Sequence, residues 1–382
     1  MHDILATACS TLCATVAAAA PDAPARLVLP LDGTTFYVNT MAFSASGDQL
    51  CLAGTDPDDM ATTTVHFLLI DRVRNAVAWR TKLAVPNDLA NIHPVKCLVA
   101  ADRVYVLANA DTSLSPPIAE TQTHVIAFDL HGKRIASARV DVPGMSQYGY
   151  AMAESPDGLR IAGYTRDRGG PAERYGTYSV TLDATLRPTG APVVRKNGTY
   201  AYPLDARIVG DSLYVAGRFY RAEARDDDFG TYAASRLRTG DGYVWSTPTA
   251  LVWNMDNEIA VGADGTSYSL GSDRKTTTLA VVPPDGKARV PLTYRSAFCA
   301  TDAIAPYGEG IVAVRQPCTG KEGYALVSIA AATGKEERLT AIPGEPLHVA
   351  TQGPIWAVLA RENGSTLVLH AGTGDLRQAA YH

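Results

Sequence analysis

Asp226, Asp227 and Asp228 stand in a row inside "RFYRAEARDDDF". Three adjacent carboxylates can hold Ca2+ when neighbouring carbonyl oxygens complete the shell, because a hard cation gathers oxygen ligands. Arg221 and Arg225 are near enough in sequence to neutralise the run instead, so a solvated loop is the competing reading. No cofactor is predicted, and Ca2+ at this run is the single candidate. The eight histidines are scattered, and no GxSxG, HExxH, P-loop or EF-hand pattern occurs. An active site assembled from distant segments would leave no local motif, so an enzyme is less favoured but keeps its place among the readings.

The cysteines offer redox chemistry. Cys299 and Cys318 flank "ATDAIAPYGEGIVAVRQP", and a hairpin turning at Gly308-Glu309 would set them opposite each other for a cross-strand disulfide. The alternative is two small buried hydrophobes. Cys51 and Cys97 have no such local argument, and no cysteine has zinc spacing. Ile4 to Ala20 carry no charge and end in small residues, as the apolar core and cleavage site of a secretory signal do. The expected division is a signal peptide over 1–19 and a single domain over 20–382, in a periplasmic or secreted protein. The stretch is too short for a spanning helix. A formal net charge of -5 without a basic stripe argues against nucleic-acid partners.

The elements that would position such groups repeat. "MAFSASGDQLCLAG", "VKCLVAADRVYVLA", "YAMAESPDGLRIAG", "LDARIVGDSLYVAG", "NEIAVGADGTSYSLG", "TDAIAPYGEGIVAV" and "LHVATQGPIWAVLA" each read as strand, short turn, strand. A second hairpin follows, as in "VHFLLIDRVRNAVAWRTKL" and "THVIAFDLHGKRIASARV". Seven such units, about 45 to 55 residues apart, predict an all-β fold, a seven-bladed β-propeller of four-stranded antiparallel blades. A sheet apolar on both faces cannot fold alone, and radial stacking buries each face against a neighbour. "RLVLPL" (26–31) is expected to complete the last blade, in preference to "LRQAAYH" (376–382).

Segments leading into the inner strands would share one face of the ring. They carry Tyr37, His93, Tyr150, Tyr202, Trp253, Tyr294, Arg295 and His348, with Phe36, Tyr148, Tyr200, Asn254 and Phe298 beside them. Aromatic and imidazole groups combine apolar area with hydrogen bonding, which suits recognition. The competing reading is that they wedge between blades as core.

The second hairpins also share a "D…TGK…W" flavour at 71–79, 129–133, 239–245 and 333–335. These pieces resemble the repeats of quinoprotein-type propellers, which occur in quinone-cofactor dehydrogenases and in the propeller lipoprotein of outer-membrane barrel assembly. "DSLYVAGRF…DDDFGTYAASRL" resembles repeats of secreted bacterial propellers. The likeness spans nearly the whole chain and implies architecture. The vicinal cysteines of the dehydrogenases have no counterpart here, so no quinone and no catalytic residue are carried over. The leading expectation is therefore an exported, monomeric scaffold that binds a protein or other macromolecule. The alternatives are a lactonase-like hydrolase or lyase with its site at the channel mouth, and a carbohydrate-binding module.

Overall fold

The computed structural model describes residues 24–32, 36–56, 64–113, 120–167, 175–196, 199–221, 231–238, 242–249, 256–273, 276–319 and 323–374. The N-terminal segment, Asp226 to Asp228, Trp253 and the stretch 376–382 lie outside them. Among the described residues the chain forms β-strands without a helix, and no helix is long and apolar enough to cross a membrane.

The strands make seven four-stranded antiparallel sheets. Blade 1 is β2 (Tyr37–Phe43), β3 (Gln49–Thr55), β4 (Thr64–Asp71) and β5 (Ala76–Ala84). Blade 2 is β6 (Asn91–Val99), β7 (Arg103–Asp111), β8 (Thr121–Asp129) and β9 (Arg134–Arg139). Blade 3 is β10 (Ser146–Ser155), β11 (Gly158–Arg166), β12 (Tyr175–Leu182) and β13 (Val193–Lys196). Blade 4 is β14 (Thr199–Val209), β15 (Ser212–Arg221), β16 (Thr231–Arg238) and β17 (Gly242–Pro248). Blade 5 is β18 (Asp256–Val261), β19 (Ser267–Ser272), β20 (Thr277–Val282) and β21 (Leu292–Tyr294). Blade 6 is β22 (Phe298–Tyr307), β23 (Gly310–Pro317), β24 (Tyr324–Ala330) and β25 (Glu336–Ile342). Blade 7 is β26 (Glu345–Gln352), β27 (Ile355–Glu362) and β28 (Thr366–Thr373), completed by β1 (Ala25–Asp32).

The closing strand is the one expected from its apolar run. β1 pairs with β28, with Arg26 opposite His370 and Val28 opposite Val368. Leu29 is buried in the cluster shared by blades 7 and 1. Arg26 donates to Glu362 at 2.7 Å, and the other Glu362 oxygen lies 2.9 Å from His370 Nε2.

Middle strands such as β3 and β4 are buried along almost their whole length, because both faces meet a neighbouring blade. The apolar side chains fall into clusters that each bridge two adjacent blades, so the core runs round the ring instead of filling one centre. Tryptophans in outer strands add a repeated clasp. Trp79 lies over Gly132 in the β8–β9 turn, and Thr81 donates to the Gly132 carbonyl at 2.9 Å. Trp245 lies over Gly286 in the following blade, and Thr247 donates to the Gly286 carbonyl at 2.7 Å. Both glycines have positive φ, and a Cβ on either would strike the indole ring.

All four cysteines beyond the N-terminal segment are paired. Cys299–Cys318 joins the two strands of one hairpin with a Cα separation of 4.8 Å. Two bulges, one at Cys299 itself, shift the simple register without parting the cysteines. Cys51–Cys97, which had no sequence argument, joins β3 of blade 1 to β6 of blade 2.

Candidate functional site

The inner strands share a local irregularity that aims side chains into the central channel. Register shifts fall between Val38 and Thr40, Pro94 and Lys96, Gly149 and Ala151, Pro203 and Asp205, Thr301 and Ala303, and Pro346 and His348. A bulge inserts one unpaired residue and turns the strand. The second strand accommodates it with a glycine in several blades: a Cβ on Gly54 would lie 2.1 Å from the Tyr37 carbonyl, and one on Gly163 would lie 2.0 Å from that of Tyr148. This is why "AG" recurs at the end of the repeats.

The residue after each bulge therefore occupies an equivalent level of the ring. In chain order these residues are Thr40, Lys96, Ala151, Asp205, Ala303 and His348, and Glu258 holds the matching place opposite Leu270 in blade 5. Lys96 forms an ion pair with Asp205. These residues belong to blades 2 and 4, so the pair reaches across the channel past blade 3. Asp205 also accepts from the backbone N–H of Ala206 at 2.8 Å and of Val261 at 2.7 Å. Burial alone would raise its carboxyl, but the Lys96 charge and these hydrogen bonds outweigh it and hold it below the ordinary range. His348, from blade 7, feels both charges. Burial and then the Lys96 ammonium push its imidazole down to about 4, against the pull of Asp205.

The residues expected on the leading face, where the inner strands begin, take several positions. Tyr37 opens β2 and is 56% exposed. His93 is exposed near the start of β6, and Arg295 is exposed ahead of β22. Tyr150 is the bulged residue of β10 and is half-buried. It stacks on Tyr148 at 6.4 Å and meets Tyr164 edge-on at 5.8 Å, so it packs between strands as the wedge reading had it. Tyr202 pairs with Arg218 within blade 4. Tyr294 ends the outer strand of blade 5, just ahead of the inner strand that begins at Phe298. Its ring covers Gly334 and its hydroxyl donates to Glu336 at 3.1 Å. His348 sits inside β26 in the channel, not on the rim. Trp253 and the Asp226–Asp228 run lie outside the described residues.

Lys96, Asp205 and Thr40 escaped the sequence reading. The signal for most of them was positional: Val95-Lys96, Leu204-Asp205, Asn257-Glu258 and Leu347-His348 each set a polar residue at a similar distance before a turn.

A second buried polar group serves packing. Arg315 on β23 is fully buried. Its guanidinium pairs with Glu336 and donates to Thr277 at 2.7 Å, Ser272 at 3.1 Å and the Phe298 carbonyl at 3.2 Å, tying blade 6 to blade 5.

No protein-family model matches the sequence, and no curated protein matches it. Solved structures do resemble it. The Dos1 propeller superposes with a TM-score of 0.52 at 8% identity, covering 90% of this chain and 95% of that one. The β-propeller domain of the trilobed protease from Pyrococcus furiosus, described as having an open velcro topology, gives 0.51 at 7%, covering 91% and 98%. Virginiamycin B lyase from Staphylococcus aureus gives 0.50 at 14%, covering 90% and 98%. At such identities the likeness establishes the propeller fold alone, which hosts unrelated functions.

Proposed function

We propose that this chain is an exported scaffold that binds a protein or another macromolecule through its leading face. The observation that carries this reading is the exposure of Tyr37 and His93 at the starts of inner strands in adjacent blades, with Arg295 exposed on the same face. Tyrosine and arginine are the side chains interfaces use as anchors, since they combine contact area with directed hydrogen bonds. The channel carboxylate Asp205 is committed to a lysine and two backbone amides, an engagement that suits structure better than proton transfer. Export is supported by the pairing of Cys51 with Cys97 and of Cys299 with Cys318, because disulfides persist in oxidising compartments.

Site-specific photocrosslinking in the native host tests the reading. A photoreactive residue at Tyr37 or His93 should give discrete adducts, while one at Glu309, in the hairpin turn at the opposite end of blade 6, should not. Adducts from all three positions, or from none, would reject the leading face as the contact surface.

A further inference from the structure

The two disulfides stand in different surroundings. Cys51 is fully buried and Cys97 is 6% exposed, both inside the apolar cluster shared by blades 1 and 2. Cys318 is exposed and Cys299 is half-buried, where the first hairpin of blade 6 meets the leading face. Thiol–disulfide exchange begins when a thiolate reaches one sulfur of the bond, so access separates the two bonds. A reductant reaches Cys51–Cys97 only after blades 1 and 2 part.

The strand end that Cys299–Cys318 closes is weakly laddered. Phe298 stands opposite Pro317, which has no N–H to give, and the register shifts at Cys299. Beyond that pair the Cys318 N–H donates to the Ala297 carbonyl at 2.9 Å. The same strand end covers Arg315. The Phe298 ring centre lies 5.4 Å from the guanidinium carbon, and the Ser296 hydroxyl donates to Glu336 at 2.7 Å and accepts from Arg315 at 3.2 Å.

We propose that Cys299–Cys318 is an exchange site for a dithiol reductant, and that its opening loosens the leading end of blade 6 while the ring stays closed. A thiolate of the dithiol attacks Sγ of Cys318, the S–S bond breaks, and its electron pair leaves on Sγ of Cys299. The second thiol then attacks the mixed disulfide, which releases Cys318 and closes the reductant's own disulfide. Two electrons pass to the protein, and the two protons of the dithiol end on the two cysteines. The segment from Arg295 to Phe298 then loses its covalent tie to β23. This chemistry is independent of what the leading face binds.

Graded dithiothreitol on the native protein, an iodoacetamide quench and peptide mapping test the site. Cys299 and Cys318 should be alkylated at a rate more than about tenfold above that of Cys51 and Cys97, because only their bond is open to attack without separation of blades. In protein reduced at that bond alone, amide hydrogen exchange should quicken over residues 294–300 and stay slow in β1, β3 and β28. Opening of both bonds at one rate, opening of Cys51–Cys97 first, or loss of native tryptophan fluorescence in step with the first thiols would overturn the exchange site. Unchanged amide exchange over residues 294–300 after selective reduction would overturn the loosening.

Discussion

Arg315 occupies the strand position where blades 1, 3, 4 and 5 have Gly54, Gly163, Gly217 and Gly271. A buried charge persists only where an opposite charge and hydrogen bonds offset its desolvation. Replacing it with Met leaves Glu336 facing Tyr294 and Ser296 without a counter-charge. Arg315→Met should therefore cost about 3–5 kcal/mol in urea denaturation, and adding Glu336→Gln should recover part of the loss. His348 makes a different prediction. Its imidazole titrates near pH 4 in the folded protein, against about 6.5 when unfolded. As pH falls through that window the unfolded chain takes up a proton that the native state does not, so stability drops. His66, His124 and His370, each shifted down chiefly by burial, act with the same sign. Asp205 and Glu362 are held below the usual carboxylate range, so their contribution is lost only as pH falls further. His348→Asn should flatten the upper part of the pH–stability curve and leave the lower part in place, as read from denaturation midpoints between pH 4 and 7. Of the residues in the channel, His348 alone was singled out in the sequence, and for a rim position. Lys96 and Asp205 meet across the ring, and such a contact leaves no trace in local spacing.

Hairpins were the most legible elements, since Gly, Asp and Asn punctuate them wherever the chain reverses. The "D…TGK…W" pieces carried more information than a repeat signature, because the tryptophan of one blade rests on the turn glycine of the next. Gly132 has φ +83, and a Cβ there would lie 2.8 Å from Trp79. Gly132→Ala should cost about 2–4 kcal/mol, combining left-handed strain with overpacking. Gly353 has φ +55 with open space around it, so Gly353→Asn should stay below about 1 kcal/mol when both glycine variants are compared by urea denaturation. The two disulfides differ in span. Cys51 and Cys97 are 46 residues apart, and Cys299 and Cys318 are 19 apart. On loop entropy alone, Cys→Ser pairs should lose about 4 and about 3 kcal/mol respectively. The first link was illegible in the sequence because its ends lie on different blades and meet only when those blades stack.

At the scale of the whole molecule the ring was readable, because seven similar units with apolar strands have few other ways to bury both faces. Which terminus completes the last blade rested on one comparison of apolar content, and pairing of β1 with β28 agrees with it. Leu29 is 2% exposed in that seam, and Leu29→Ala should lower stability by about 2–5 kcal/mol. Deleting through Leu31 should be worse, since it bares the edge of β28 and invites edge-to-edge association, seen as early-eluting species in size-exclusion chromatography.

The same seam orders events in time. Arg26 and His370 become neighbours in space although almost the entire chain separates them. During synthesis β1 is the first of these strands to emerge, and its partner is the last. The blades between can pair within themselves as they appear, but β1 must wait, an unpaired apolar strand, until β28 has been made. Contacts so distant in sequence form slowly, because loop closure precedes any reward. The final blade thus acts as a check on completeness: a chain truncated before Thr366 has nothing for its first strand to join, and its ring stays open.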